Sequence, residues 1–206
     1  MEEARIVLDQ NERTLKHLFL GASVTRNHSW DLVFQSVTIK KLTQLDLVDT
    51  FISDFVLTRI THDAHNLQSL TLHGFLLDSS FASVLFASDR IDDGKHTLLP
   101  YLEVVRFKFL NRDDQRPLYH SVASFLRKRE KLRRLDLGSC PWDIVQDILP
   151  DLVNLRVLGV HISDLSQGMI NSLVESIPTQ MVAIRLSVNV SDIPLVYFLS
   201  YLMSTN

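Results

Sequence analysis

The chain has 206 residues, 46% of them hydrophobic and 22% charged, an ordinary globular composition with length enough for one continuous core. Its 21 basic and 24 acidic side chains leave a formal charge of -3, so no global field pulls it toward nucleic acid or anionic lipid, and a charged partner must be met locally. With Cys140 the one cysteine, no internal disulfide can form; Met-Glu-Glu-Ala-Arg at the start is no signal peptide, and no run nears the roughly 18 apolar residues of a membrane helix, which together predict an intracellular protein, cytoplasmic or nuclear.

The first element in the chain is a six-place phrase with apolar residues at places one, four and six, Leu15/Leu18/Leu20. The phrase returns at Leu42/Leu45/Leu47 and at Leu67/Leu70/Leu72, with a helical spacing of Phe55, Leu57 and Ile60 between these two. After the third phrase, Ser79 and Ser80 precede a helix containing Phe81, Val84 and Leu85, followed by a long loop over 87–97. The fourth phrase is Leu102/Val105/Phe107, followed by a second loop over 111–117 and a helix carrying Val122, Phe125 and Leu126. The fifth is Leu132/Leu135/Leu137, then Pro141 and a helix carrying Ile144, Val145, Ile148 and Leu149, stopped at Pro150. The sixth is Leu155/Leu158/Val160, followed by a helix through Met169, Ile170, Leu173, Val174 and Ile177 that ends at Pro178. The seventh is Met181/Ile184/Leu186, and an apolar helix over Ile193 to Leu202 follows it.

From one first place to the next the spacings are 27, 25, 35, 30, 23 and 26 residues. A fixed phrase at this interval is the signature of a leucine-rich repeat, in which each unit buries its apolar face against its neighbours. Alternation at places four to six is the period of a short strand with one buried face. Parallel strands joined by helical crossovers then predict an α/β fold: a leucine-rich-repeat solenoid, a ribonuclease-inhibitor-like horseshoe of about seven parallel strands on the concave side and helices on the convex side. Residues 1–206 are expected to form one such domain. The ninth place favours a small polar residue that bonds the turn, and it holds Ser23, Thr50, Phe75, Leu110, Cys140, Ser163 and Asn189. Phe75 and Leu110 break that ladder beside the two insertions, so irregular turns are expected there.

Catalytic and metal chemistry find little support. His62 and His65 stand three apart on the helix before Leu67, a metal-compatible spacing without a third ligand, and read as solvent-facing residues. Asp92-Asp93-Gly94-Lys95 is a turn without a phosphate-binding loop around it, and no nucleophile elbow is present. Cys140 is explained by its ninth place. Asn27-His28-Ser29 and Asn189-Val190-Ser191 match a glycosylation acceptor that has meaning only in a secreted chain. No catalytic residue, cofactor or metal is expected. The run Arg127-Lys128-Arg129-Glu130-Lys131-Leu132-Arg133-Arg134 is either a local site for an acidic peptide or phosphate, or, as the simpler reading, a solvated helix end, with Arg134 the exception.

Because places four and six face the core, places three, five and seven face the concave side. That rule assigns a surface of His17, Phe19, Gln44, Asp46, Val48, Ser69, Thr71, His73, Val104, Arg106, Lys108, Arg134, Asp136, Val157, His161, Ala183, Arg185 and Ser187, with the glycines at those places. An exposed aromatic, several histidines and a central Arg106/Lys108/Arg134 group are a mixture suited to a protein or peptide ligand, with no nucleic acid or membrane partner.

The stretches Leu70-Thr71-Leu72-His73-Gly74, His96-Thr97-Leu98-Leu99-Pro100, Lys131 through Trp142 and Leu149 through Leu158 resemble the repeat region of F-box leucine-rich-repeat proteins of mushroom-forming fungi, a likeness running over roughly residues 14–190. The resemblance implies a non-catalytic recognition module that receives the substrate of a ubiquitin ligase; a ligase adaptor would be a partner only through an F-box outside this chain. Residues 1–13 are too few for an F-box and no polar cap follows the last phrase, so a fragment of a longer protein or a degenerate member is expected. The alternative is a repeat scaffold or adaptor with no ubiquitin link.

Overall fold

A computed structural model of the chain describes residues 10–11, 14–21, 31–36, 39–48, 53–75, 98–109, 116–138, 140–162 and 166–188. The expected helices at 81–85 and 193–202, the loop at 87–97, most of the loop at 111–117, both glycosylation motifs and the ninth-place residues Ser23, Thr50, Leu110, Ser163 and Asn189 lie outside these residues.

Seven strands are described: β1 His17–Gly21, β2 Gln44–Val48, β3 Ser69–Phe75, β4 Val104–Phe109, β5 Arg134–Gly138, β6 Val157–Ile162 and β7 Ala183–Val188. Each begins at place three of its phrase. They form one sheet in sequential order, parallel throughout. Place pairs with like place at every step, as in Leu45↔Leu70, Leu70↔Val105, Val105↔Leu135 and Leu135↔Leu158. Between them run five described helices, α1 Asp31–Ser36, α2 Asp54–Asp63, α3 Arg116–Arg127, α4 Trp142–Ile148 and α5 Gln167–Ser176, with a short 3-10 turn at Leu149–Asp151. A sequential parallel order with helical crossovers is compatible with a solenoid.

The core lies between the sheet and the helices. Leu45, Leu47, Leu70, Val105, Leu135 and Leu158 are fully buried at their even places, and Val56, Leu57 and Ile60 of α2, Phe125 and Leu126 of α3 and Val145 and Ile148 of α4 pack onto them. Each such side chain contributes about 1.5–3 kcal/mol when taken fully from water. Phe55, expected on the buried stripe of α2, is instead 39% exposed. At about 100° per residue it lies on the far side of the helix from Leu57 and Ile60, and Val56 takes its place. α1 was not anticipated; Phe34 is its anchor, 1% exposed. In β7 the equivalents Ile184 and Leu186 are half-buried.

A repeated hydrogen-bond pattern locks unit to unit. The carbonyl at place two accepts from the N–H groups of places two and three of the next unit in all six steps, for example Arg133 O from Arg156 N at 2.8 Å and Val157 N at 3.0 Å. At the turn into each of the last six strands the place-one N–H donates to the carbonyl three residues earlier, as Leu67 does to Ala64 and Leu155 to Leu152. Just before the phrase, Asn66, Asn154 and Gln180 donate side-chain amide hydrogens to Lys40, Glu130 and Val153 carbonyls of the preceding turn. Tyr101 and Lys131 occupy the same place in the fourth and fifth units, and there the Lys131 ammonium sits 4.2 Å from the centre of the Tyr101 ring.

Irregularity falls where the longest spacing lies. The β3–β4 register shifts between His73 and Phe75, as the loss of a small polar ninth residue at Phe75 predicts. The turn into β4 runs through Leu99, fully buried with φ 48, a left-handed conformation that costs a non-glycine residue on the order of 1–2 kcal/mol.

The exit from β5 is held from beneath. Tyr119 of α3 is fully buried and its hydroxyl donates to the Gly138 carbonyl, while Cys140 at the ninth place is 5% exposed, its thiol 3.7 Å from the Pro141 carbonyl. Burial raises the pKa of both groups well above their ordinary values, so Tyr119 remains a donor and Cys140 a thiol. Removing the hydroxyl in Tyr119→Phe leaves that carbonyl short of its partner. We expect a loss of about 1–2 kcal/mol, read as a lower urea midpoint at unchanged m-value; an unchanged midpoint would show that water replaces the tyrosine.

Candidate functional site

The open face of the sheet, turned away from the helices, carries places three, five and seven. In contrast to the even places, nearly all of its side chains are half-buried or exposed. Of the twelve partner-contact candidates, eight line one depression of about 550 Å³ across β3–β7: Thr71, His73, Arg106, Lys108, Arg134, Asp136, His161 and Arg185. The other four, His17, Phe19, Gln44 and Asp46, stand on β1 and β2 outside it. Phe19 is 66% exposed, and Gln44 is engaged in donating to the Asp46 carboxylate.

At the middle of the depression, Asp136 ties two arginines together. Its Oδ2 accepts from Arg134 Nε at 2.8 Å and lies 3.5 Å from Arg106 Nε. Arg106 also reaches Thr71 Oγ1 through Nη1 at 3.5 Å. Thr71 is therefore a support beneath the arginine rather than an open contact, with only 9% of its surface left. Both Arg–carboxylate contacts here use Nε, so the Nη groups of Arg134 are not taken up by Asp136.

Two glycines form the floor. Gly159 follows Asp136 in the place-five row, and a Cβ there would fall inside the van der Waals envelope of Asp136 Oδ1. The carboxylate thus lies across the space a side chain would fill. Gly138 follows Lys108 in the place-seven row, where a Cβ would meet Lys108 Cγ at 2.8 Å. The sequence counted these residues only as missing side chains on the concave side; their use as a floor depends on where the neighbouring Asp136 and Lys108 lie.

The charge of this surface is opposite to that of the chain. Arg106, Lys108, Arg134 and Arg185 are set against Asp136 alone, an excess of three positive charges within a molecule of net charge -3. Low-dielectric walls focus such a field and draw anions to it.

The basic run before β5 is largely exposed, as a solvated helix end should be: Arg127, Lys128, Lys131 and Arg133 face water, and Arg129 is the buried exception. Arg127 bonds Asp147 of α4 and, through Nε at 2.9 Å, Asp151. Arg133 lies 3.9 Å from Glu103. Arg129 is 2% exposed, with its guanidinium 3.9 Å above the centre of the Phe125 ring. Arg127 and Arg133 meet these carboxylates of neighbouring units from exposed positions, and of the run only Arg134 lines the depression. His62 and His65 are both exposed, but α2 ends at Asp63, so His65 stands in the following turn and not on the helix. Asp63 pairs with Arg59 at 2.9 Å. No cluster of three or more His, Cys, Asp or Glu suited to a metal occurs among the described residues, and no helix there is long and apolar enough to cross a membrane.

No protein-family model matches the sequence, and no curated protein matches it either.

Proposed function

We propose that the chain is a leucine-rich-repeat solenoid whose concave face binds a segment of another protein, without catalysis. The place-for-place register and the repeated turn hydrogen bonds support the repeat reading, since each unit solves the same packing problem in the same way. The observation that carries the recognition reading is the depression, where eight of the residues assigned to partner contact gather around the bridged arginines. Arg forks bind carboxylate and phosphate with directional hydrogen bonds, which favours a polar, charge-bearing ligand over an apolar one. In this reading the face does the work of the substrate-receiving repeats of F-box proteins; in the alternative it serves a scaffold with no ubiquitin link.

Affinity purification of the tagged chain from its source cells tests both. A partner is expected that is retained by the unmodified chain and lost with Arg106→Glu plus Arg134→Glu, at a Tm within a few degrees of the original. Equal recovery with the double variant would move the site off this face. Co-purification of ligase adaptor and cullin subunits selects the F-box setting, and a partner recovered without them selects the scaffold.

A further inference from the structure

The recognition role just assigned to this face can be taken one step further, to the chemistry of what it holds. We propose that the depression receives a phosphorylated serine or threonine side chain carried by the partner protein, and this rests on that recognition reading.

Asp136 already shows what one carboxylate achieves here: it satisfies the Nε–H of Arg134, approaches that of Arg106, and leaves an excess of three positive charges in the lining. Lys108 and Arg185 have no ion pair or side-chain hydrogen bond among the described residues, so their charges are held toward the depression with nothing to answer them. A second carboxylate would cancel one charge. A phosphate monoester brings close to two, with three acceptor oxygens to share among several donors.

The depression, about 550 Å³ in volume, has room for a side chain and its phosphate. Gly138 and Gly159 on adjacent strands are overlain by the Lys108 stem and the Asp136 carboxylate, so both groups lie low on its floor. Arg106 and Arg185 stand three strands apart in the same row, about 14 Å at the usual strand spacing. His73 and His161 in the place-seven row add ring N–H donors at the rim.

A nucleic-acid strand needs a stripe of cations that tracks its backbone. The same rows on β1 and β2 hold Phe19, Gln44 and Asp46 instead, so the positive patch ends at β4 with Thr71 and His73 at its margin.

The test is fluorescence anisotropy on the full chain with four probes: a degenerate heptapeptide pool with a fixed central phosphoserine, the same pool with central glutamate, the same pool with central serine, and decauridylate. The phosphoserine pool is expected to bind about tenfold or more tighter than the glutamate and serine pools and than decauridylate. Lys108→Ala plus Arg185→Ala should weaken it by a similar factor at unchanged Tm, because neither residue supports the described structure. Equal affinity for the glutamate pool, binding of decauridylate as tight as the phosphopeptides, indifference to the double variant, or absence of phosphoserine binding would each overturn the proposal. If phosphoserine fails while a cellular partner is still captured in an Arg106- and Arg134-dependent way, the phosphate assignment alone falls; if both fail, so does the recognition reading.

Discussion

Leu135→Asp is expected to abolish cooperative unfolding. Leu135 sits at place four of β5, fully buried, between Val105 and Leu158 in the sheet and above the helix layer. An aspartate there either places a carboxylate in the core without a partner or binds a proton to avoid doing so, and it also discards the leucine packing. Buried unpaired charges and lost core leucines each belong among the few changes that exceed about 4 kcal/mol, a large part of the roughly 5–15 kcal/mol that holds a domain together. The neighbouring Asp136→Leu provides the control. Its side chain stands on the open face, so it should leave a cooperative transition in place while releasing Arg106 and Arg134. Thermal unfolding by circular dichroism distinguishes the two: a broad, non-cooperative loss for Leu135→Asp and a sharp transition for Asp136→Leu. The reverse result would shift the strand register by one residue, because a one-place slip exchanges the two faces of every strand.

That register was legible because the phrase constrains it twice, through the period of two within each strand and through the return of large apolar residues at places one, four and six. All seven strands begin at place three, and the odd places from His17 to Ser187 stand on the open face as expected. Less legible was α1, six residues long with Phe34 as its one fully buried described side chain, too short for a helical period to declare itself. The site was legible as a surface but not as a location. The phrase treats every unit alike, so it assigns His17 and Asp46 the same standing as Arg106 and Arg185. What breaks the equivalence is the pairing of Gly138 with Lys108 and of Gly159 with Asp136, contacts between units that no single-unit pattern contains. The basic run is exposed at Arg127, Lys128, Lys131 and Arg133 as a solvated helix end should be, but the burial of Arg129 and the contacts of Arg127 and Arg133 with Asp147, Asp151 and Glu103 on neighbouring units are beyond what composition tells.

Arg129 carries the second large expectation, and its place in the repeat decides the sign. Three residues before the phrase, successive units hold Ile39, Ala64, Leu99, Arg129 and Leu152, all buried, and each accepts at its carbonyl the N–H of the following place-one residue. The Arg129 carbonyl thus has the same role as that of Leu152, where a leucine is buried. Its guanidinium is removed from water and lies over the Phe125 ring, a contact worth about 2 kcal/mol at most when desolvated, with a long bond from Nη1 to the Lys128 carbonyl at 3.4 Å. Taking the charge out of water costs several kcal/mol, which the contacts of the guanidinium must offset. Arg129→Leu keeps an apolar stem and removes the guanidinium, and it is expected to be the more stable of two variants at this position. Arg129→Glu should lower stability by about 3–5 kcal/mol, since a carboxylate there faces the negative ring face of Phe125 with its hydration lost. A Tm well below that of the unmodified chain for Arg129→Leu would show that the guanidinium, and not its apolar stem, holds the junction between α3 and β5. Equal tolerance of leucine and glutamate would place the side chain in water, against its 2% exposure.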